Sequence, residues 1–156
     1  MNIDVIITTI DSYFDASSDS VKTLESTCVP TYIDSLKTNN TYTYINVCMK
    51  DSRELTLQDL EVLSYIKESK SEFFLITHGT YTMPDTARYL ESHLKDTNKK
   101  VILVGSMIPL TFSPSDAFNL FAISLTYIDP VYVMNELFAM EVSKLVSDRF
   151  VSLFNT

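Results

Sequence analysis

The residues best suited to chemistry in this chain are hydroxyls, and they gather after apolar runs. Thr8, Thr9 and Asp11 follow the first run, and Asp51 and Ser52 follow the second. The third ends in Thr77-His78-Gly79-Thr80-Tyr81-Thr82-Met83 and the fourth in Gly105-Ser106-Met107. Hydroxyls with a few carboxylates suit nucleophilic attack on an acyl group, or the binding of a carboxylate. A threonine hydroxyl is a poor nucleophile until a base or a local field lowers the cost of ionising it, and the oxyanion then needs positioned donors. His78 stands where a base could stand, with a satisfied loop histidine as the structural alternative. His93 belongs on a helix surface. Thr80 either faces a pocket or caps the helix that begins near Pro84. Asp11 could supply charge near the pocket, Asp51 could order the loop that presents Ser52, and Asp116 suits a helix N-terminus.

Something must carry these side chains to one place. Residues 3–8, 73–77, 101–105 and 131–134 are continuously apolar, as in parallel strands covered on both faces. Residues 43–49 alternate more and suit a position nearer an edge. Helical patterns lie between them. Thr56 and Asp59 form a capping pair ahead of Leu57, Leu60, Leu63 and Ile66. Pro84 opens a helix that carries Ala87, Leu90 and Leu94 on one face. Residues 113–116 start another, in which 117–127 are apolar nearly all round. A shorter helix is expected around 30–36. Strand and helix alternate, giving an α/β, Rossmann-like three-layer domain with a mostly parallel sheet. In such sheets ligands bind beyond the carboxyl ends of the strands, where the hydroxyls are.

Composition bounds the function. The chain has 156 residues, enough for one domain with its own core. Its net charge of −8 argues against nucleic acid and anionic membranes as partners, since both need a concentrated positive patch. Residues 1–10 lack a basic lead, and no apolar stretch is long enough to span a bilayer, so a cytoplasmic protein is expected. Cys28 and Cys48 have no ligand spacing for zinc and read as reduced, buried, small apolar residues. No metal or other cofactor is expected. Glycine is scarce: there are only two, Gly79 and Gly105, both after apolar runs. Turns needing positive φ must therefore use Asn, Asp or strained residues.

The strand-end motifs, taken together, resemble those of the bacterial-type asparaginase family. Residues 77–83 are similar to its Thr-His-Gly-Thr-Asp-Thr-Met signature, and 101–109 to its Val-Gly-Ala-Met-Arg-Pro segment. Ser115-Asp116-Ala117-Phe118-Asn119-Leu120 resembles Ser-Asp-Gly-x-x-Asn-Leu. Asp51-Ser52 with Leu55-Thr56 resembles Asp-Ser-x-x-Met-Thr, and 131–135 the strand ending in Met-Asn. The five stand in the family's order, and the match as a whole runs from about residue 3 to 144. The resemblance implies a single domain over 1–156, like the family's N-terminal domain and without its C-terminal one. It implies Thr9 as first nucleophile, Thr80 as second catalytic threonine and Lys144 as the base. It further implies Ser52 on a substrate carboxylate, with Asp51, Tyr81 and Ser106 at the same ligand, and a homo-oligomer in which a neighbour completes the site.

Two positions depart from the family's pattern. Its Thr-Gly-Gly-Thr-Ile is here Thr8-Thr9-Ile10, without the glycines that let the backbone turn closely around a ligand. Tyr81 replaces the aspartate that pairs with a substrate ammonium, and a tyrosine stays neutral at neutral pH. Free asparagine is therefore a poor candidate substrate. The expected function is a divergent amidohydrolase that cleaves a carboxamide of a small amino-acid-like ligand through a threonine. The alternative is a catalytically silent protein of the same fold that binds a small ligand or a protein partner. The apolar stretch 150–154 suits a contact between copies.

Overall fold

The structure, a computed structural model, describes residues 1–56, 58–59, 62–117, 132–135 and 138–141. Aliphatic side chains at successive strand positions point to opposite faces, so a continuous apolar run must be covered on both. Strands β1 (Asn2–Ile7), β4 (Thr41–Asn46), β5 (Phe73–Thr77), β6 (Lys100–Val104) and β7 (Tyr132–Asn135) meet this by forming a parallel sheet. β8 (Phe138–Glu141) adds antiparallel to β7, and the sheet order is β4-β1-β5-β6-β7-β8. The more alternating run is β4, at one edge, as its pattern predicts.

The two faces carry separate cores. Ile6, Phe74, Ile76, Val101 and Leu103 pack with Ile66 of helix α2 (Val62–Glu68) and with Met83, Ala87, Leu90 and Leu94 of α3 (Met83–Leu94). On the other face, Ile3, Val5, Ile7, Leu75, Ile102 and Val104 pack with Val29 and Ile33 of α1 (Val29–Ser35) and with Leu110 and Ala117. This is the expected three-layer arrangement. Asp4 is the charged exception inside β1. It is 3% exposed and accepts hydrogen bonds of 2.8 Å from the hydroxyls of Tyr65, Ser69 and Ser71. Three donors offset much of the cost of burying the carboxylate.

The structure corrects the expected sequence of elements. An antiparallel hairpin, β2 (Ser12–Asp15) with β3 (Ser20–Thr23), stands between β1 and α1 and outside the main sheet. Its Tyr13 and Phe14 are both exposed, at 43% and 53%, so no alternation of burial marks it in the sequence. The turn is held by Asp15, whose carboxylate accepts from Ser17, Ser18 and Lys22. The Thr56–Asp59 capping pair forms in both directions, Thr56 N to Asp59 Oδ2 at 2.8 Å and Asp59 N to Thr56 Oγ1 at 3.4 Å. The described α2 begins only at Val62. Positive φ falls on Asp19 (46°) in the hairpin turn and on Lys37 (50°) just past α1, whereas neither glycine has it. Of the expected 117–127 helix only Ala117 lies among the described residues, and the stretch 150–154 lies outside them. Among the described residues no helix is long and apolar enough to cross a membrane.

Candidate active site

Strand register sets the site. Ile7 stands opposite both Asn46 and Thr77, Thr77 opposite Val104, and Val104 opposite Met134. The segments after β1, β5 and β6 therefore leave the sheet at one edge. They surround an open cleft of about 300 Å³. One wall is Thr9, Ile10, Asp11 and Ser12; a second is Asp51, Ser52 and Arg53; a third is His78 to Tyr81. Ser106, Met107 and Pro109 form the fourth, and Val21, Lys22 and Thr23 of β3 reach in from the hairpin. Of the expected site residues, Thr9, Thr80, Asp51, Ser52, Tyr81 and Ser106 all line this one cleft. Lys144 lies outside the described residues.

Adjacent threonines have different surroundings. Thr8 is tied to β5: its hydroxyl donates to the Thr77 carbonyl, and its N–H donates to Thr77 Oγ1 at 3.2 Å. Thr9, one residue on and 8% exposed, lines the cleft despite the missing glycines. The segment after it is clamped from β6, where Leu110 N donates to the Ile10 carbonyl at 3.1 Å and Thr111 donates to the Ser12 carbonyl. Thr80 is not a helix cap. The residue before α3 is Thr82, and its hydroxyl reaches away from the helix to donate to the Ser52 carbonyl at 2.9 Å.

Both glycines act through space rather than φ. A Cβ on Gly79 would lie 2.8 Å from both Cβ and Oγ of Ser52. A Cβ on Gly105 would lie 2.6 Å from the His78 carbonyl oxygen and 2.3 Å from Met83 Cε. Only glycine lets these walls close to such distances. Asp116 finishes the fourth wall: its carboxylate accepts from Met107 N at 3.0 Å and Ile108 N at 2.9 Å. It thus holds the loop after β6, a function the helix-terminus reading of this residue misses.

His78 is the satisfied loop histidine. It is 1% exposed, with Nδ1 2.7 Å from the Gly79 carbonyl and Nε2 2.9 Å from Thr86 Oγ1. The carbonyl can only accept, so Nδ1 carries the proton and Nε2 accepts from the hydroxyl. Burial pushes the imidazole below its ordinary pKa, the Gly79 hydrogen bond opposing. Asp51 spends its carboxylate on Arg53, Oδ1 accepting from Arg53 N and Nε at 2.9 Å and Oδ2 from Nη2 at 2.7 Å. That hydrogen bonding lowers the Asp51 pKa. The Arg53 guanidinium in turn lies 4.5 Å from the ring centre of Tyr81, which is 70% exposed. Tyr81 therefore sits at the rim and does not fill the cleft. Arg53 was not legible as a site residue; the Asp-x-Arg spacing at a turn is the signal that could have found it. Cys28 is half-buried and polar in its contacts, its thiol donating to Asp11 Oδ2 at 3.0 Å. Burial first, and Asp11 second, push that thiol up to about 12, so it stays protonated.

Three buried polar atoms have no hydrogen-bond partner among the described residues: Asp11 Oδ1, Ser52 Oγ and Ser106 Oγ. All three belong to residues that line the cleft. Such atoms are rare in folded proteins and are costly unless something else meets them.

The model of the family described as "Asparaginase, N-terminal" matches residues 3–144. Over 88 residues, 56% of this chain, the sequence is 34% identical to L-asparaginase 2 of Escherichia coli strain K12, of which that stretch covers 25%. The fold is that of the thermostable L-asparaginase from Thermococcus kodakarensis, with a TM-score of 0.72 over 91% of this chain at 21% identity. It is also that of the probable cytoplasmic L-asparaginase from Campylobacter jejuni, with a TM-score of 0.74 over 92% at 19% identity. The chain spans about half the length of those two structures, 46% and 48%.

Because burial disfavours the charged His78 ring, the native state binds a proton there less readily than the unfolded chain does. The contribution is complete above the unfolded value of about 6.5 and is lost as pH falls through the lower folded value. Thermal unfolding midpoints should therefore drop as pH is lowered from 7 toward 5, and His78→Gln should flatten that part of the profile. An unchanged slope in the variant would contradict this.

Proposed function

Since the chain belongs to the asparaginase family, matched over that family's N-terminal domain, we propose that it is an amidohydrolase that cleaves a carboxamide through a threonine hydroxyl. The observation that carries this reading is the set of buried atoms on Asp11, Ser52 and Ser106 that have no partner among the described residues, in a cleft also lined by Thr9 and Thr80. In this reading the Thr9 hydroxyl attacks the carboxamide carbon. Its proton passes to the departing nitrogen, the C–N bond breaks, and ammonia leaves. Water then cleaves the threonine ester to give a carboxylic acid, with Thr80 assisting and Lys144 as the base that draws protons from it. Ser52 receives the ligand's carboxylate, Ser106 meets its amide, and Asp51 keeps the Ser52 loop ordered through Arg53.

A second reading is favoured by Tyr81. Its ring is committed to the Arg53 guanidinium, so the rim offers an aromatic surface where a carboxylate would be needed. On that reading the cleft binds a small ligand or a partner and turns nothing over, since fold does not fix function. Ammonia release from L-asparagine, L-glutamine and carboxamide derivatives of them separates the two. The amidohydrolase reading predicts release by the native protein and a loss of at least about 100-fold in Thr80→Ala. Undiminished release in that variant would refute it. Silence in the native protein with release in Tyr81→Asp would mean an intact site disarmed at position 81, and silence in both would favour the binding reading.

We also place the protein in the cytoplasm and expect it to work as a homo-oligomer. Tyr13, Phe14 and Val21 on the hairpin, with Met107 and Ile108 at the cleft mouth, are exposed apolar residues suited to a second copy. Light scattering should give a mass at least twice that of the single chain; a monomer at every concentration would rule this out.

A further inference from the structure

The mouth of the cleft is built differently from its walls. Val21, Tyr81 and Met107 line it and are nevertheless 60%, 70% and 55% exposed. A polar rim would suit a free, zwitterionic amino acid. This rim offers apolar and aromatic surface to a further group of the ligand. The open cleft of about 300 Å³ leaves room for one, since it lies at the lower end of the range for drug-sized ligands.

Arg53 makes this rim a fixed surface. Its side chain is 62% exposed, and its guanidinium carbon stands 4.5 Å from the ring centre of Tyr81. One edge is spent on Asp51, with Nε donating to Oδ1 at 2.9 Å and Nη2 to Oδ2 at 2.7 Å. The guanidinium is therefore held from two directions, while Nη1 has no hydrogen-bond partner among the described residues.

Charge decides what fits there. Arg53 is paired with Asp51, and Lys22 with Asp15. The other carboxylate that lines the cleft, Asp11, is 1% exposed and accepts from Thr27 and Cys28. Neither an ammonium nor a further carboxylate on the ligand finds an unpaired charge at the mouth. An uncharged planar group with an acceptor at its edge finds what it needs. Its carbonyl accepts a charge-assisted bond from Nη1, and its plane packs on the Tyr81–Arg53 pair. An apolar tail beyond it has Val21 and Met107 to cover. An acylated amine is such a group.

We propose that Arg53 and Tyr81 form a specificity platform for an acylated amine, so that the ligand of the cleft is an N-acyl amino acid and not a free one. This names the substrate class of the amidohydrolase reading and rests on that reading for the reaction. The carboxamide that is cleaved is then carried by an N-acyl amino acid.

Titration calorimetry on the full chain tests this with three probes that carry no primary carboxamide to lose: N-acetyl-L-aspartate, L-aspartate and succinate. The first and last have the same carboxylates and differ by the acylamino group. N-acetyl-L-aspartate should bind at least about tenfold more tightly than either of the others. Tyr81→Ala, at an exposed position, should cut that preference to within about twofold, and Tyr81→Phe should keep it. Arg53→Lys keeps the charge but loses the planar fork, and should behave as Tyr81→Ala does. N-acetyl-L-aspartate binding no more tightly than succinate, or a preference that survives Tyr81→Ala, would overturn the proposal. If a variant fails to fold, the comparison of the three probes on the native protein still decides. Preference for the acylated amine with no ammonia release from N-acetyl-L-asparagine would leave the platform standing and sink the amidohydrolase reading; ammonia release from L-asparagine without that preference would do the reverse.

Discussion

The site depends on one row of the sheet. Ile7, Thr77 and Val104 are register partners across β1, β5 and β6, and all three strands point the same way. A shift by one residue would turn every following side chain to the opposite face. The apolar side chains on both faces forbid that shift, because it would bring Asp4 and Thr8 into the wrong layer. The packing of the core therefore fixes where Thr9, Thr80 and Ser106 emerge. The geometry of the cleft is inherited here from the apolar runs.

Backbone proximity completes what register begins. The strand ends come together only because two positions lack a Cβ, Gly79 against Ser52 and Gly105 against the His78 carbonyl. Polar clamps then fix the walls. Thr82 holds Ser52, Asp116 holds the loop after β6, and Thr111 with Leu110 holds the segment after Thr9. Apart from the Leu110 backbone bond, each clamp uses a side chain beside the cleft to satisfy backbone groups that strand ends leave unpaired. Hydrogen bonds thus clamp three walls of the cleft, while three buried polar atoms of its lining residues meet no partner among the described residues. That is the expected economy of a preformed binding site.

Much of this was legible in the residues. Continuous apolar runs marked the parallel strands, and the more alternating run marked the edge strand β4. The strand-end hydroxyls gave the cleft walls, and the scarcity of glycine showed where close packing matters, although the reason proved to be space and not positive φ. The hairpin β2–β3 was not legible, because its apolar residues face outward and carry no periodicity. Nor was Arg53 over Tyr81, since that pairing depends on how two loops from different strands meet. Thr82, not Thr80, preceding α3 could not be decided from the sequence either. Both threonines stand before Pro84, and only the three-dimensional path sends one hydroxyl to Ser52.

The account stands on the strand-end cleft being where a ligand binds, with the unmet atoms as its contacts. Backbone amide NMR of the full chain during titration with L-asparagine tests that directly. The account predicts saturable shifts confined to the segments around Thr9–Ser12, Ser52, Gly79–Tyr81 and Ser106. Shifts centred elsewhere on the sheet, or none at millimolar ligand, would contradict it.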